Sequence, residues 1–138
     1  MKATVLYRTA AFVFVLFALG HTYGFLSLSA PSAEARAVFE AMNTVHFVVH
    51  DRSYSYGAFY RGLGLSATVA MLFSAFVAWH LGDLARSAPS SIGALGWVFF
   101  AVQLAGLVLS LLYFGPPPAV LSALVAAILA WAAWLARG

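Results

Sequence analysis

"TAAFVFVLFALGHTYGFLSL" occupies residues 9–28 and decides the class of fold. A helix needs about 20 mostly apolar residues to cross the hydrocarbon core of a bilayer, and this segment contains no charged residue. Three more uncharged, apolar segments of this kind follow at 62–81, 92–114 and 119–136. We therefore predict an all-α integral membrane protein, a single membrane domain over residues 1–138 in which four transmembrane helices form a four-helix bundle.

The composition also indicates a membrane environment, because the 138-residue chain is 64% hydrophobic and only 8% charged. Soluble domains usually contain about 25% charged residues. The net charge is +3, but the seven basic residues are scattered singly, so no patch suits a row of phosphates and we expect no nucleic-acid partner. The absence of cysteine argues against disulfide exchange, thiolate metal sites and iron–sulfur clusters.

The basic residues near the span ends favour an orientation with both termini inside. Cytoplasmic loops of membrane proteins carry an excess of lysine and arginine. With the N-terminus inside, four of the seven basic residues lie on that side: Lys2, Arg8, Arg86 and Arg137. We therefore predict an integral membrane protein oriented N-in, C-in, in contact with membrane lipids.

The first span has an alternative interpretation as a secretory signal. Lys2 and Arg8 precede the apolar run, and "AEA" at 33–35 resembles a small-residue cleavage site, after which a mature chain would begin at Arg36. The apolar run is longer than the core of a usual signal, and it contains His21. These two features favour a retained span.

The connection between the first two spans, residues 29–61, is long enough to predict structure of its own. Ser32 is suited to cap a helix, and Glu34 would lie in the first turn, where the helix dipole favours an acid. Apolar residues then recur at spacings of four, three and four, at Val38, Met42, Val45 and Val49. This pattern predicts an amphipathic interfacial helix over about 33–50, on the membrane surface between spans 1 and 2.

The polar residues of this region predict a binding pocket in the outer leaflet. His21 lies inside the first span, where ionisable groups usually face a bundle interior or a water-filled cavity. At helical spacing, Asn43, His46 and His50 would share one face. The predicted ligand-binding residues are Tyr23, Asn43, His50, Tyr60 and Arg61, with His21 and His46 as candidate acid–base groups.

The ligand expected for this pocket is lipophilic with a polar head, such as a quinone, an isoprenoid or a lipid. Arg61 would pair with an anionic head group, and His21 or His46 would donate or accept a proton. Alanine at His21 is expected to change binding or activity. The sequence alone identifies neither a cofactor nor a reaction.

A metal or haem site is an alternative use of the same histidines. His46 and His50 stand four residues apart, which is half of a familiar metal site. The further ligands would come from His21, Glu40 or Asp51, and residues 47–49 contain no glutamate that could act as a base between the two histidines. A haem joining His21 to His46 or His50 is geometrically possible on this interpretation.

Two further function classes remain open from the sequence. The chain could be a non-catalytic accessory subunit of a larger membrane complex or a homo-oligomer, with the polar stretch as its docking surface. A small transporter is less favoured, because no span shows the interrupted pattern with paired charges that midplane sites use.

The layout resembles the small four-span bacterial inner-membrane families of DoxX type. The resemblance rests on size, span count and two blocks, "GHTYG" at 20–24 and "RSYSYGAFYRGLGL" at 52–65. It implies a four-span helical fold in the inner membrane. Many members of these families lack an assigned activity, so the resemblance assigns no catalytic residue to this chain.

Overall fold

The computed structural model describes residues 2–137, which are mostly helical. The helices are α1 (Ala3–Leu26), α2 (Ala33–Thr44), α3 (Tyr56–Ser87), α4 (Leu95–Leu109) and α5 (Pro116–Leu135). The strands are β1 (His46–Val49) and β2 (Arg52–Ser55). A short 3₁₀ turn, Pro89–Ser91, precedes α4, and a π turn, Ser110–Phe114, continues it.

Four of the described helices are long and apolar enough to cross a membrane: α1, α3, α4 with its π turn, and α5. The all-α class is confirmed, with one small hairpin added. The first span begins six residues before the predicted 9–28 and ends two residues short of it, whereas the second extends beyond the predicted 62–81 at both ends, because hydropathy marks the apolar part of a helix and not its ends. The added turns contain charged residues, and one pair of them meets where Arg8 Nη2 donates to Asp83 Oδ1 at 2.8 Å.

The last helix begins three residues earlier than the predicted residue 119. Pro116 to Pro118 form its first turn, where the missing N–H groups would have had no partner within the helix. Gly115 adopts a φ of +81°, which allows the chain to turn sharply between α4 and α5. The Gly115 N–H donates to the Ser110 carbonyl at 3.0 Å and closes the π turn.

The beginning of α2 follows the sequence prediction closely. The Ser32 hydroxyl accepts a hydrogen bond from the Ala35 N–H at 3.2 Å, which makes Ser32 the N-cap. Glu34 lies in the first turn as expected. The hydrogen bond from Ser32, together with a backbone hydrogen bond, lowers the pKa of the Glu34 carboxyl below its ordinary value.

The predicted interfacial helix over 33–50 is wrong in its last six residues. The helix ends at Thr44, and the chain then forms an antiparallel hairpin in which Phe47 pairs with Tyr54 and Val49 with Arg52. Consecutive β-branched valines favour a strand over the end of a helix. His46 and His50 are therefore not on a helix, and they share no helical face with Asn43.

The hairpin turn consists of His50 and Asp51, which have φ values of 47° and 63°. Positive φ at both central residues is the signature of the two-residue turn that best matches the twist of the two strands. Asparagine, aspartate and histidine are the non-glycine residues that adopt this conformation most often. His50 is therefore a turn residue, and it does not lie one helical turn after His46 as the predicted metal site required.

The chain divides into two compact units, and α1 and α3 contribute to both. The first unit comprises the chain up to Phe17 and from Met71 onward, and the second is Ala18–Ala70. In the first unit, segments of α1, α3, α4 and α5 surround one apolar core. Its largest fully buried side chains are Tyr7, Leu81, Val125 and Leu129.

Gly96 provides a test of this core, because α4 packs there without a side chain. A Cβ at Gly96 would lie 3.2 Å from the Cβ of Ala133 and 3.3 Å from Cγ2 of Ile92. Overpacking of this kind typically costs about 1–3 kcal/mol. We expect Gly96→Ala to lower the free energy of unfolding in detergent micelles.

Gly106→Ala in the same helix is the matched control, since no atom lies within 4 Å of a Cβ there. Alanine is favoured over glycine in a helix by about 1 kcal/mol, so the control should be neutral or stabilising. Equal stabilisation by both substitutions in denaturant titrations would contradict the packing of α4 described above.

Candidate ligand-binding cleft

A cleft of 180 Å³ lies within the second unit, between the end of α1, the end of α2 and the start of α3. We call it the polar cleft, although most of its wall is apolar. Its lining residues are Phe25, Leu26, Leu28, Phe39, Met42, Asn43, Gly57, Tyr60 and Arg61. Three predicted site residues are therefore together: Asn43, Tyr60 and Arg61.

Asn43 is fixed by contacts on two sides. Its Nδ2 donates to the Phe39 carbonyl at 2.9 Å, one turn earlier in α2. Its side-chain carbonyl lies against the Cα of Gly57, where a Cβ would overlap it and would also approach the Met42 carbonyl to 3.2 Å. The absence of a side chain at Gly57 therefore allows the end of α2 to pack directly on the start of α3.

Arg61 and Tyr60 supply the donors of the polar cleft. The ion pairs formed by the described residues join Asp83 to Arg8 and Arg86, so neither involves Arg61. No carboxylate lines the cleft. A guanidinium carries five N–H donors and no acceptor. The side chains at this wall therefore favour a ligand that brings acceptor oxygens or a negative charge.

His21 is bound to α3 and does not line the polar cleft. Its Nε2 lies 3.0 Å from the carbonyl oxygen of Gly64. A carbonyl can only accept, so Nε2 carries the proton and donates it, and Nδ1 is the basic nitrogen of the neutral ring. The structure thus places His21 in a helix–helix hydrogen bond, which is the kind of bond that joins helices within a membrane.

Phe25 connects His21 to the wall of the polar cleft. The two rings stack at 5.8 Å with 12° between their planes, and Phe25 meets the Tyr60 ring at 5.3 Å. A Cβ at Gly64 would overlap the Phe25 ring. The Phe25 ring therefore lies between His21 and the Tyr60 side of the cleft wall.

A hydroxyl pair lies beside this contact and adds a second polar link between α1 and α3. Thr22 donates to the Ala18 carbonyl at 2.8 Å, and its hydroxyl lies 2.9 Å from that of Thr68. Because Thr22 gives its proton to the carbonyl, Thr68 is the donor between the two hydroxyls. In the second unit, two hydrogen bonds thus join α1 to α3, one from His21 to Gly64 and one between Thr22 and Thr68. The Phe25 ring packed on Gly64 adds an apolar contact.

The other predicted site residues lie outside the polar cleft. His46 and His50 are both exposed, and the Nδ1 of His46 lies 2.8 Å from the Thr44 carbonyl. Tyr23 is 77% exposed, and Glu40 is exposed on α2. The expected meeting of His21 with the two hairpin histidines and Arg61 is therefore not formed in this cleft.

The metal alternative finds no geometric support in residues 2–137. No three side chains of His, Asp or Glu type in this part of the chain stand close enough to hold one ion. The separation follows from the hairpin, because His46 lies on a strand and His50 at the turn. The proposed candidates His21 and Glu40 do not join them.

Sequence reasoning missed the apolar wall of the cleft and the glycine at its base. Phe25, Leu26 and Leu28 fell within the predicted first span, Met42 was assigned to the apolar face of the interfacial helix, and Phe39 was not singled out. Gly57 carried a usable signal: it is a lone glycine at the entrance to a helix, between Tyr56 and Ala58. Such a position often marks a close backbone approach.

An aromatic cluster anchors the hairpin to the start of α3. The Phe47 ring lies 6.0 Å from Tyr54, 5.0 Å from Tyr56 and 5.7 Å from Phe59, the last edge to face. Such pairs are worth about 0.5–1.5 kcal/mol beyond their buried area. Tyr54 and Tyr56 thus help to fix the hairpin.

No family model matches this chain, and no curated protein or solved structure is significantly similar to it. The resemblance to families of DoxX type therefore stays a prediction. The site has to be interpreted from its own geometry.

The two hydrogen-bonded histidines should be opposite tautomers when neutral. The Gly64 carbonyl requires Nε2–H on His21, whereas the Thr44 carbonyl requires Nδ1–H on His46. Nitrogen-15 spectra of selectively histidine-labelled protein, at a pH where the imidazoles are neutral, distinguish the two forms. Single His21→Gln and His46→Gln variants assign the signals. The same tautomer at both positions would contradict these hydrogen bonds.

Proposed function

We propose that the protein is an integral membrane protein of the bacterial inner membrane, with both termini inside, whose polar cleft binds the head of a lipophilic ligand. Four helices of sufficient length and apolarity support the membrane location. Large side chains such as Phe12, Phe73 and Phe76 are about two-thirds exposed, at 64%, 65% and 66%. Exposed apolar surface of this extent needs an apolar medium or a partner.

The observation that carries the proposal is the wall of the polar cleft. Apolar side chains from α1 and α2 face the donors of Tyr60 and Arg61, and no carboxylate neutralises the guanidinium. A concave site with an apolar lining and a few converging polar groups is typical of small-molecule binding. Ligands with carbonyl or phosphate oxygens on the head group satisfy these donors.

The size of the polar cleft limits what enters it. Its volume of 180 Å³ compares with about 150 Å³ for an engineered cavity that holds one benzene molecule. One ring or one phosphate group therefore fits, and a long hydrocarbon tail does not. The tail would lie outside against Leu26 and Leu28, which are 61% and 56% exposed. A quinone, an isoprenyl phosphate or a lipid head meets these limits.

In this proposal α2 and the hairpin lie at the membrane surface, and the four spans form a bundle in the membrane. The exposed apolar residues of α2 include Val38, which is 59% exposed. Neither of the two candidate acid–base histidines, His21 and His46, lines the polar cleft, so the proposal assigns ligand binding to the cleft and no proton transfer.

Binding of farnesyl phosphate tests the proposal, with farnesol as the matched probe that keeps the tail and lacks the charged head. We expect native mass spectrometry in mild detergent to show farnesyl phosphate bound to the wild type and farnesol bound more weakly. Arg61→Gln should weaken farnesyl phosphate binding about tenfold, since a hydrogen bond to a charged group is worth about 1.5 kcal/mol or more.

Arg52→Gln is the control, because Arg52 is an exposed arginine of β2 that does not line the polar cleft. Gly57→Ala provides an independent test, since its Cβ would displace Asn43 and the end of α2. We expect weaker binding in Gly57→Ala and none of that loss in Gly62→Ala, which has open space around a Cβ. Equal binding of both probes, or equal losses in Arg61→Gln and Arg52→Gln, would exclude this site.

A second candidate function, an accessory subunit of a membrane complex or a homo-oligomer, is favoured by the hairpin. In a two-stranded sheet each strand has one unpaired edge, and such edges can accept a strand from a partner. Val48 is 70% exposed on this hairpin. If this function applies, purification in gentle detergent yields a defined complex that Val48→Lys dissociates. A single small species in both preparations would contradict it.

A further inference from the structure

A second cleft, of 360 Å³, lies in the first unit where the start of α1 meets the ends of α3 and α5. We call it the basic cleft. Its polar wall consists of Lys2, Thr4 and Arg86. The apolar wall includes Ala85 of α3 and Leu135 of α5. The cleft therefore combines two cationic side chains with an apolar wall, and this combination is complementary to the phosphate and the adjoining acyl chains of a phospholipid.

The charges around the basic cleft are unbalanced. The described part of the first unit contains four basic residues and one acid, Asp83. Asp83 is held most closely by Arg8, at 2.8 Å, while Arg86 stands 3.8 Å away and is 69% exposed. Arg8 is further engaged with the Trp79 ring, 4.7 Å from its centroid. The acid is therefore largely committed to Arg8.

The two cations of the cleft wall keep their capacity for an external anion. Lys2 takes part in neither ion pair of the described residues, and the Arg86 guanidinium lies beyond hydrogen-bond distance from Asp83. The fourth cation, Arg137, lies over the Trp97 ring at 4.3 Å and does not line the cleft. The basic cleft thus has a defined pair of donors, distinct from the general positive charge at this end of the helices.

We propose that the basic cleft binds the headgroup of an anionic phospholipid. Lys2 and Arg86 would hold the phosphate, the Thr4 hydroxyl would donate to a remaining oxygen, and the first atoms of the acyl chains would lie against Ala85 and Leu135. The volume corresponds to about twelve water molecules of about 30 Å³ each, which is enough for a phosphate with its glycerol. Basic pockets between membrane helices are known to bind anionic headgroups in this way.

The size and chemistry of the cleft favour a lipid over a soluble phosphate. A free phosphate would use only the cationic wall, whereas a lipid also covers the apolar wall. Phosphatidylglycerol and phosphatidylcholine separate charge from lipid character, and glycerol 3-phosphate supplies an anionic phosphate on glycerol without acyl chains. These three probes distinguish the source of the phosphate.

The experiment titrates detergent-solubilised protein with each probe and measures bound molecules by native mass spectrometry. Wild type should bind phosphatidylglycerol in preference to phosphatidylcholine, and glycerol 3-phosphate should not displace it. The double variant Lys2→Gln with Arg86→Gln should weaken phosphatidylglycerol binding about thirty-fold, from the usual contribution of two basic residues near anionic lipid. Both residues are exposed, so the fold should persist, which circular dichroism checks.

Two matched variants separate the cleft from the surrounding charge. Arg137→Gln removes a charge from the same unit without touching the cleft wall, and it should lower the affinity much less than Arg86→Gln alone. Ala136→Trp keeps every charge and fills the cleft, so it should abolish preferential binding. The proposal is overturned if Arg137→Gln and Arg86→Gln cause equal losses, if Ala136→Trp binds normally, or if glycerol 3-phosphate competes with the lipid.

Discussion

The contact between large side chains of α1 and glycines of its neighbours is the constraint on which the structure depends. In the first unit, a Cβ at Gly96 of α4 would meet the Tyr7 hydroxyl, and one at Gly82 of α3 would lie 3.1 Å from Cγ of Arg8. In the second unit, the Phe25 ring covers Gly64 of α3. Small residues at such points allow helix backbones to approach closely, which is how helices associate where lipid removes the hydrophobic driving force.

These contacts have a measurable cost at Tyr7. Its side chain is fully buried, and its hydroxyl has no hydrogen-bond partner within residues 2–137. An unpaired buried hydroxyl costs about 1–3 kcal/mol, so hydrogen bonding does not explain why the ring lies there. Its van der Waals contacts do, because the ring fills the space that Gly96 leaves open. The site residues obey the same rule, since His21 and Phe25 are placed by their approach to Gly64.

The sequence predicts the spans well and the connection between the first two spans only in part. Span prediction succeeds because apolar length is a direct property of the chain. The start of α2 was also predictable, since Ser32 is a local signal. The hairpin was missed because Val45 and Val49 fit a helical spacing, and a run this short cannot separate that period from strand alternation. Paired valines followed by "HD", a dipeptide that tolerates positive φ, carried the competing signal.

The sequence indicated the polar residues of the polar cleft but not the apolar residues that shape it. Arg61, Tyr60 and Asn43 stood out because they interrupt apolar sequence. Their neighbours Phe25 and Gly57 acquire meaning only when α1 and α2 reach α3, and no local pattern reports that approach. The histidines misled because spacing suggested a shared face. The hairpin separates His46 and His50, and the hydrogen bond to Gly64 uses one nitrogen of His21.

The distribution of acids gives both clefts one physical basis. Of the four acidic residues, only Asp83 forms an ion pair among the described residues, and the others are exposed on α2 and in the hairpin turn. Arg61 near the start of α3 consequently forms no ion pair among the described residues, and Arg86 near its end stands 3.8 Å from Asp83, which Arg8 holds more closely. Within residues 2–137, no carboxylate lines either cleft. The basic side chains at both places therefore keep donors for acceptor oxygens of molecules around the chain, and the two binding proposals share this basis.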